Sequence, residues 1–337
     1  MKLILAPLRG ITNCTFRRIY HKHFPFFDCA IAPFVSPTAS EKLGDGLFSD
    51  LLPAENANAM PVEPQILLNN ENVLYPFLDK IYELGYRKIN FNMGCPAAVV
   101  VKKKKGAALL NYPDIIDAIL TKISADSRFE FSVKTRLGMS DKNQIFEILP
   151  IIEKHKPSEI ILHSRTAEMQ YSGNADLEYF AKVAEIVSAP IVYNGDVFSL
   201  AKFQKTTEMF GSKISGIMIG RGVLVNPLLL EQIRRGVLHT PANPAEKINE
   251  FVTDLYNEYK NIYYGENPVL GKMKELWKYL RFSFENSEKP AKKILKSGSL
   301  LSYEANVEQF FENCEFSNRQ ILGNIEVDAD CVGAVLG

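Results

Sequence analysis

Short runs of apolar residues recur along the first part of the chain, and longer amphipathic stretches separate them. The runs are residues 3–6, 29–33, 62–68, 88–92, 131–135, 159–163, 190–193 and 216–219. Several place Ile and Val at successive positions, which is typical of strands buried on both faces of a parallel sheet. Helical periods lie between most of them, at residues 73–85, 113–123, 144–155, 177–187 and 200–210. Strands and helices that alternate in this number predict an α/β fold, the (β/α)₈ TIM barrel.

A doubly wound open sheet is the structural alternative to the barrel. Such a sheet normally carries a glycine-rich GxGxxG turn after its first strand, and residues 3–10 read LILAPLRG. The sequence therefore favours the closed barrel, which we place at residues 1–238.

The pattern changes after Gly236. A connector that contains Pro241 and Pro244 leads into amphipathic stretches at residues 245–264, 270–284, 291–297 and 303–314. Because no strand candidate interrupts them, we predict a small helical domain over residues 239–337. The tail after Phe316 has weak periodicity and carries no assignment.

The composition is that of a globular protein. The chain has 337 residues, of which 46% are hydrophobic and 23% charged, and this excludes collagen-like and wholly disordered classes. We expect no membrane span, because no apolar run approaches the ~20 residues that a bilayer requires. The five cysteines form no CxxC pair, and His21 and His23 have no third ligand nearby in the sequence, so we expect no metal site. A cytoplasmic location is the corresponding expectation.

The charge is balanced overall but unevenly distributed. The 39 basic and 39 acidic residues cancel, yet residues 102–105 are four consecutive lysines. Residues 271–296 carry eight basic and three acidic side chains. Because nucleic-acid binding requires a basic patch rather than a basic average, this asymmetry suggests an anionic partner. A solvated helix face is the simpler alternative.

Polar residues follow six of the predicted strands, at the ends where barrels of this kind place their active sites. Any one of them alone is a weak indication, but together they form one constellation. They are Gln65, Asn92, Cys95, Lys134, His163, Arg165, Asn194, Gly195, Asp196, Gly220 and Arg221.

The last two strand ends indicate a phosphate site. Gly195, Gly220 and Gly222 allow backbone N–H groups to approach an anion closely, and Arg221 can add a charge-assisted hydrogen bond. The alternative is that these glycines only form tight turns. Two such turns on adjacent final strands favour a cofactor that bears a phosphate.

Lys134 and Cys95 are the two candidates for chemistry. Lysine is costly among apolar residues unless its ammonium meets an anion, and a cofactor that becomes anionic on reduction would supply one. Cys95 lies in a loop between Gly94 and Pro96, where a thiol can act as nucleophile or general acid, although most lone cysteines are inert. His163 is either a cofactor contact or a satisfied core histidine.

These motifs, taken in order, resemble the tRNA-dihydrouridine synthase family. The matching segments are LAPLRGIT at 5–12, NMGCP at 92–96, GAALL at 106–110, SVKTRLG at 132–138, HSRT at 163–166, NGD at 194–196 and IGRG at 219–222. The resemblance covers residues 3–226, and the predicted helical domain is similar to the RNA-binding domain of that family.

The resemblance implies a monomeric barrel that contains FMN and reduces the C5–C6 double bond of a D-loop uridine in tRNA, with NADPH as reductant. It implies that Cys95 is the general acid and that Asn92 and Arg165 contact the uracil. The residues it assigns to FMN are Pro7, Leu8, Gln65, Lys134 and His163 and, around the phosphate, Asn194, Gly195, Asp196, Gly220 and Arg221.

Two other functions remain open at this stage. One is an FMN barrel that acts on a free small molecule of the dihydroorotate or enone type, which would leave the basic segment 271–296 without a role. The other is a tRNA-binding module without catalysis, against which Cys95 and Lys134 argue. The family usually has a Lys-Val pair where this chain has Val99 and Val100, so the identity of the uridine stays open, with position 16 favoured.

Overall fold

A ring of parallel strands forms the centre of the molecule. The computed structural model describes residues 1–37, 45–238 and 241–317. Its strands are β1 (Lys2–Leu5), β2 (Cys29–Ile31), β3 (Val62–Glu63), β4 (Gln65–Ile66), β5 (Lys88–Met93), β6 (Glu130–Gly138), β7 (Glu159–Thr166), β8 (Ile191–Asn194) and β9 (Gly216–Ile219). They are ordered β3-β2-β1-β9-β8-β7-β6-β5-β4 in one sheet, and every pair is parallel.

The ring closes through a strand that is interrupted at Pro64. β3 pairs with β2, whereas β4 pairs with β5. Proline has no N–H to continue the ladder, but the carbonyl oxygen of Pro64 accepts a hydrogen bond from the N–H of Asn90 at 2.8 Å. The nine pieces therefore make eight barrel strands, which confirms the predicted (β/α)₈ fold.

The described residues of the barrel form ten α-helices, of which five match the predicted stretches at residues 73–85, 113–123, 144–155, 177–187 and 200–210, and five were not predicted. They are α1 (Cys14–His23), α2 (Pro53–Asn56), α3 (Leu74–Glu83), α4 (Ala98–Val101), α5 (Pro113–Ala125), α6 (Gln144–Lys154), α7 (Leu177–Ile186), α8 (Leu200–Phe210), α9 (Arg221–Val225) and α10 (Leu229–Arg235). The start of α1 is capped, because the side chain of Asn13 accepts a hydrogen bond from the N–H of Phe16 at 2.9 Å.

The C-terminal region is helical, as predicted. It contains α11 (Pro244–Ile262), α12 (Glu266–Leu280), α13 (Glu288–Lys296) and α14 (Leu300–Asn313). The predicted boundary at residues 238 and 239 adjoins residues 239–240, which lie outside the described residues, as does the tail from residue 318. No helix in the described ranges is long and apolar enough to cross a membrane.

The helical region packs directly on the barrel. α11 lies against α1, and α12 lies against α9. The ring of Phe251 in α11 is 6.0 Å from that of Phe16, 5.9 Å from that of Tyr20 and 5.5 Å from that of Phe24. One hydrophobic cluster thus includes both parts of the chain, and the helical region has a fixed place beside the cavity described below.

We expect Phe251→Ala to lower the free energy of unfolding by about 3–5 kcal/mol, because it leaves a cavity among packed rings. Denaturant unfolding followed by circular dichroism measures the change. Leu301→Ala, at a side chain that is 78% exposed, is the control and is expected to change stability by less than ~0.5 kcal/mol. A loss at Phe251 no larger than that of the control would show that this contact does not hold the two parts together.

Candidate functional site

A cavity opens at the carboxyl ends of the barrel strands. Its empty volume is about 1060 Å³, including the open mouth. Its wall brings together most of the residues that the sequence predicted, namely Pro7, Leu8, Gln65, Asn92, Cys95, Lys134, His163, Asn194, Gly195, Gly220 and Arg221. The predicted constellation is therefore a single surface.

A chain of amide side chains forms the floor of the cavity. Nε2 of Gln65 donates to Oδ1 of Asn90 at 2.7 Å, and Nδ2 of Asn92 donates to Oε1 of Gln65 at 2.8 Å. Oδ1 of Asn92 in turn accepts from the N–H groups of Gly94 and Cys95 at 3.0 and 2.9 Å. Because Asn92 bonds to both the floor and the loop, it fixes the loop that carries the thiol.

Cys95 is held from its other side by a glycine with a left-handed backbone. Gly106 has a φ of +60°, and a Cβ there would lie 2.7 Å from the carbonyl oxygen of Cys95. The N–H of Ala107 donates to the same oxygen at 3.0 Å. Burial raises the pKa of the Cys95 thiol above its ordinary value, so the sulfur keeps its proton at neutral pH.

Lys134 projects from β6 into the cavity. Its Nζ donates to Oδ1 of Asn194 at 2.9 Å, and Nδ2 of Asn194 donates to the carbonyl oxygen of Met218 at 3.1 Å. Burial, together with repulsion from Arg136, lowers the pKa of Lys134 to about 7. Burial also lowers the pKa of His163, so the imidazole is neutral at pH 7.

Arg165 and Asp196 form a charged network behind the cavity wall. The guanidinium of Arg165 contacts both carboxylate oxygens of Asp196, and Nη2 of Arg221 donates to Oδ1 of Asp196 at 2.8 Å. Arg165 also donates to the carbonyl oxygens of Ser172 at 3.1 Å and Gly173 at 2.6 Å. Although burial raises the pKa of Asp196, the hydrogen bond from Arg165 keeps it below its ordinary value.

The cavity wall formed by the described residues includes neither Arg165 nor Asp196. Both were predicted as ligand contacts, Arg165 for the uracil and Asp196 for the phosphate. Their position places them one layer behind the wall, where they hold Arg221 and the loop that contains Ser172 and Gly173.

Ten wall residues were not predicted as site residues, and three of them, Arg136, Tyr171 and Tyr279, add contacts that bear on the chemistry of the cavity. Nε of Arg136 donates to the carbonyl oxygen of Gly94 at 2.9 Å, so this side chain supports the loop of Cys95. The ring of Tyr171 lies 4.4 Å from the guanidinium carbon of Arg221 and 5.6 Å from that of Arg136. Tyr279 comes from α12, so the helical region contributes to the wall. Arg136 lies within a motif that was already noted, whereas Tyr171 and Tyr279 had no sequence signal.

The electrostatic character of the cavity is cationic. Lys134, Arg136 and Arg221 line it, as does Arg9, and no carboxylate lines it among the described residues. Asp196 compensates part of this charge from behind. Buried cations are stable when an anion neutralises them, so the cavity suits a ligand that bears negative charge. No group of three potential metal ligands occurs in the described ranges.

Comparison with known proteins agrees with this geometry. A tRNA-dihydrouridine(16) synthase from Vibrio parahaemolyticus is 26% identical over 307 residues, which are 87% of this chain and 91% of that protein. A tRNA-dihydrouridine synthase B from Vibrio vulnificus is 27% identical over 317 residues, which are 93% of this chain and 96% of that protein. Among solved structures, the old yellow enzyme from Trypanosoma cruzi has the same fold, with a TM-score of 0.50 and 11% identity over 73% of this chain and 91% of that chain.

The family assignment follows from the extent of the match. The family model described as dihydrouridine synthase (Dus) matches residues 4–315, a range that includes the barrel, the cavity and the C-terminal helices. The chain therefore belongs to the dihydrouridine synthase family.

Proposed function

We propose that this protein reduces a D-loop uridine of tRNA to 5,6-dihydrouridine, with FMN as cofactor and NADPH as reductant. The observation that carries the proposal is that the thiol of Cys95 and the amine of Lys134 lie in the wall of one cavity. Family membership and the names of the relatives support tRNA as the substrate. The name of the Vibrio parahaemolyticus relative favours uridine 16.

The cavity suits FMN in charge and in shape. Positive side chains without a facing carboxylate match a phosphate and a flavin that is anionic when reduced. A Cβ on Gly195 would lie 2.0 Å from the hydroxyl of Tyr193, and one on Gly220 would lie 3.1 Å from the Cβ of Ala6. Packing therefore requires glycine at both turns, and the absence of a side chain there is compatible with close approach of a phosphate to the backbone.

We assign the residues around FMN in three groups. Pro7 and Leu8 border the flavin. Gln65, Lys134 and His163 contact its ring system, and Lys134 stabilises the negative charge of the reduced state. The remaining group, which holds the ribityl phosphate end, is Asn194, Gly195, Gly220 and Arg221, with Asp196 acting through Arg221.

The chemistry then requires one proton at a defined atom. When bound, reduced FMN supplies hydride to C6 of the uracil. Cys95 holds a proton on Sγ and donates it to C5, which a thiol with a raised pKa can do at neutral pH. Asn92 positions the thiol by accepting a hydrogen bond from the N–H of Cys95. Because Asn92 also lies in the cavity wall, we keep it as the proposed contact to the uracil. Because Arg165 lies behind the wall, we assign it a positioning role for Arg221 and for the loop of residues 172–173, rather than contact with the uracil.

The primary test is nucleoside analysis of tRNA from cells that lack this protein. We expect one dihydrouridine of the D-loop to be missing and to return when the gene is restored. An unchanged modification pattern, together with turnover of a free pyrimidine by the purified protein, would favour the small-molecule alternative.

We expect Cys95→Ala to slow dihydrouridine formation by roughly 10²–10⁴, because the general acid is lost. The purified variant is expected to stay yellow and to be reduced by NADPH at the wild-type rate, which absorbance of the flavin measures. Cys14→Ala, away from the cavity wall, is the matched control. Equal rates for both variants would show that Cys95 does not donate the proton.

The variant Lys134→Met tests whether burial of the Lys134 charge lowers the stability of the protein when no anion is bound. Without cofactor we expect the variant to be more stable at pH 7 by about 1–3 kcal/mol, because it buries no ammonium. The folded pKa of about 7 lies below the ordinary 10.5, so wild-type stability rises through this window and the difference shrinks toward pH 10. Denaturant unfolding at several pH values measures it. If the difference in stability between wild type and variant does not change with pH, the pKa of Lys134 is not lowered in the folded protein.

Two exposed lysines of α13, Lys292 and Lys293, are our candidates for RNA contacts in the helical region. Reversing both charges to Glu is expected to weaken tRNA binding and to flatten the dependence of the dissociation constant on salt. Filter binding at several salt concentrations provides the measurement. If the salt slope equals that of wild type, the RNA site lies elsewhere.

A further inference from the structure

The lysine run after β5 contains three side chains that the proposed function does not use. Lys102, Lys103 and Lys104 are exposed, and none of them forms an ion pair with a carboxylate of the described residues. Elsewhere on the surface, lysines such as Lys142 and Lys154 pair with aspartates at 2.6 and 2.9 Å. The ammonium of Lys104 lies 5.3 Å from the centroid of the Tyr112 ring, which does not neutralise its charge. Three adjacent cations without a carboxylate partner repel one another, and a polyanion would relieve that repulsion.

The turn that carries these lysines is fixed rather than a flexible tail. The N–H of Lys103 donates to the carbonyl oxygen of Val100 at 3.0 Å, and that of Lys104 donates to Val101 at 2.9 Å. Nδ2 of Asn69 donates to the carbonyl oxygen of Lys103 at 2.9 Å. The ordered backbone therefore presents the three ammonium groups from one place on the surface.

Lys105, the last of the run, anchors the turn to the protein. This side chain is buried, and its Nζ donates to the hydroxyl of Ser36 at 2.8 Å. Gly106 follows at once and packs on the backbone of Cys95, as described above. Because Gly106, next to the anchor, contacts the Cys95 loop, the backbone of the lysine turn has a defined position relative to that loop.

The turn and the helical region contact the barrel after different strands. The helical region contacts the barrel at α9, which follows β9, and at the loop after β1, where Nζ of Lys272 donates to the carbonyl oxygen of Gly10. In the ring of eight strands, β5 is four strands away from β9 and three from β1, and Lys105 ties the turn to Ser36 in the loop after β2. The two basic surfaces therefore lie at different parts of the ring of strand ends, and an RNA that touches both can lie across the mouth.

We propose that Lys102, Lys103 and Lys104 bind the phosphate backbone of the RNA substrate at a second surface, which follows β5 and is separate from the helical region. This inference rests on the proposed function and adds a second contact surface to it. Lysines act there as point charges that position the backbone without reading bases. Contact at two surfaces holds the RNA over the cavity, where one nucleotide has to leave its stack to reach the thiol.

The test compares two triple variants that remove the same charge. K102Q/K103Q/K104Q neutralises the turn, and K88Q/K156Q/K213Q neutralises three exposed lysines that lie at or before the start of a strand, at the opposite end of the barrel. Dissociation constants for unmodified tRNA are measured by filter binding from low to high salt. We expect the first variant to reduce the magnitude of the logarithmic salt slope by about two, since each phosphate contact contributes roughly 0.7–0.9. The control is expected to match wild type.

Equal slopes for the two triple variants would overturn the proposal. If the turn variant is poorly folded, the single variant Lys103→Gln is measured instead. A reduction in the salt slope of about 0.7–0.9 supports the proposal, and an unchanged slope contradicts it. Combining the turn variant with the Lys292 and Lys293 changes should give the sum of the two reductions if the RNA touches both surfaces. Failure of the proposed function is a separate result, because the wild-type protein would then form no dihydrouridine in tRNA.

Discussion

Ring closure is the constraint that creates the site. Segment 62–66 has to bond to β2 through one half and to β5 through the other, and Pro64 marks the change of partner. Once the ring is closed, the carboxyl ends of all eight strands converge on one opening. Side chains that are far apart along the chain, such as Gln65 and Asn194, then share one wall. Without closure these polar ends would lie along an open edge and enclose nothing.

Convergence also has an electrostatic cost. Lys134, Arg136 and Arg221 are brought together away from bulk water, and Asp196 neutralises only part of their charge. Binding of an anionic group lowers the electrostatic cost of this arrangement and so stabilises the fold. This is the physical reason why the cavity is suited to a phosphate-bearing flavin. The same field leaves Cys95 protonated only because burial of the thiol outweighs the neighbouring cations.

The strands and the main crossover helices could be predicted because buried parallel strands leave continuous apolar runs. α1 was missed, although Asn13 supplied a capping signal, because five of its ten residues are basic and they leave only a short apolar face. The wall was largely predictable, since strand ends locate it. Sequence position could not show that Arg165 lies behind the wall, because its partner Asp196 comes from another strand. Nor could four identical lysines reveal that Lys105 alone is buried.

The presence of Tyr279 in the wall has a consequence for how such enzymes diversify. Its helix, α12, belongs to the region proposed to bind RNA, yet the tyrosine faces the pocket proposed for the cofactor. Exchange of that region between relatives would therefore alter the surroundings of the prosthetic group together with the choice of RNA. If both proposed roles hold, a change in α12 would act on the RNA and on the cofactor pocket at once.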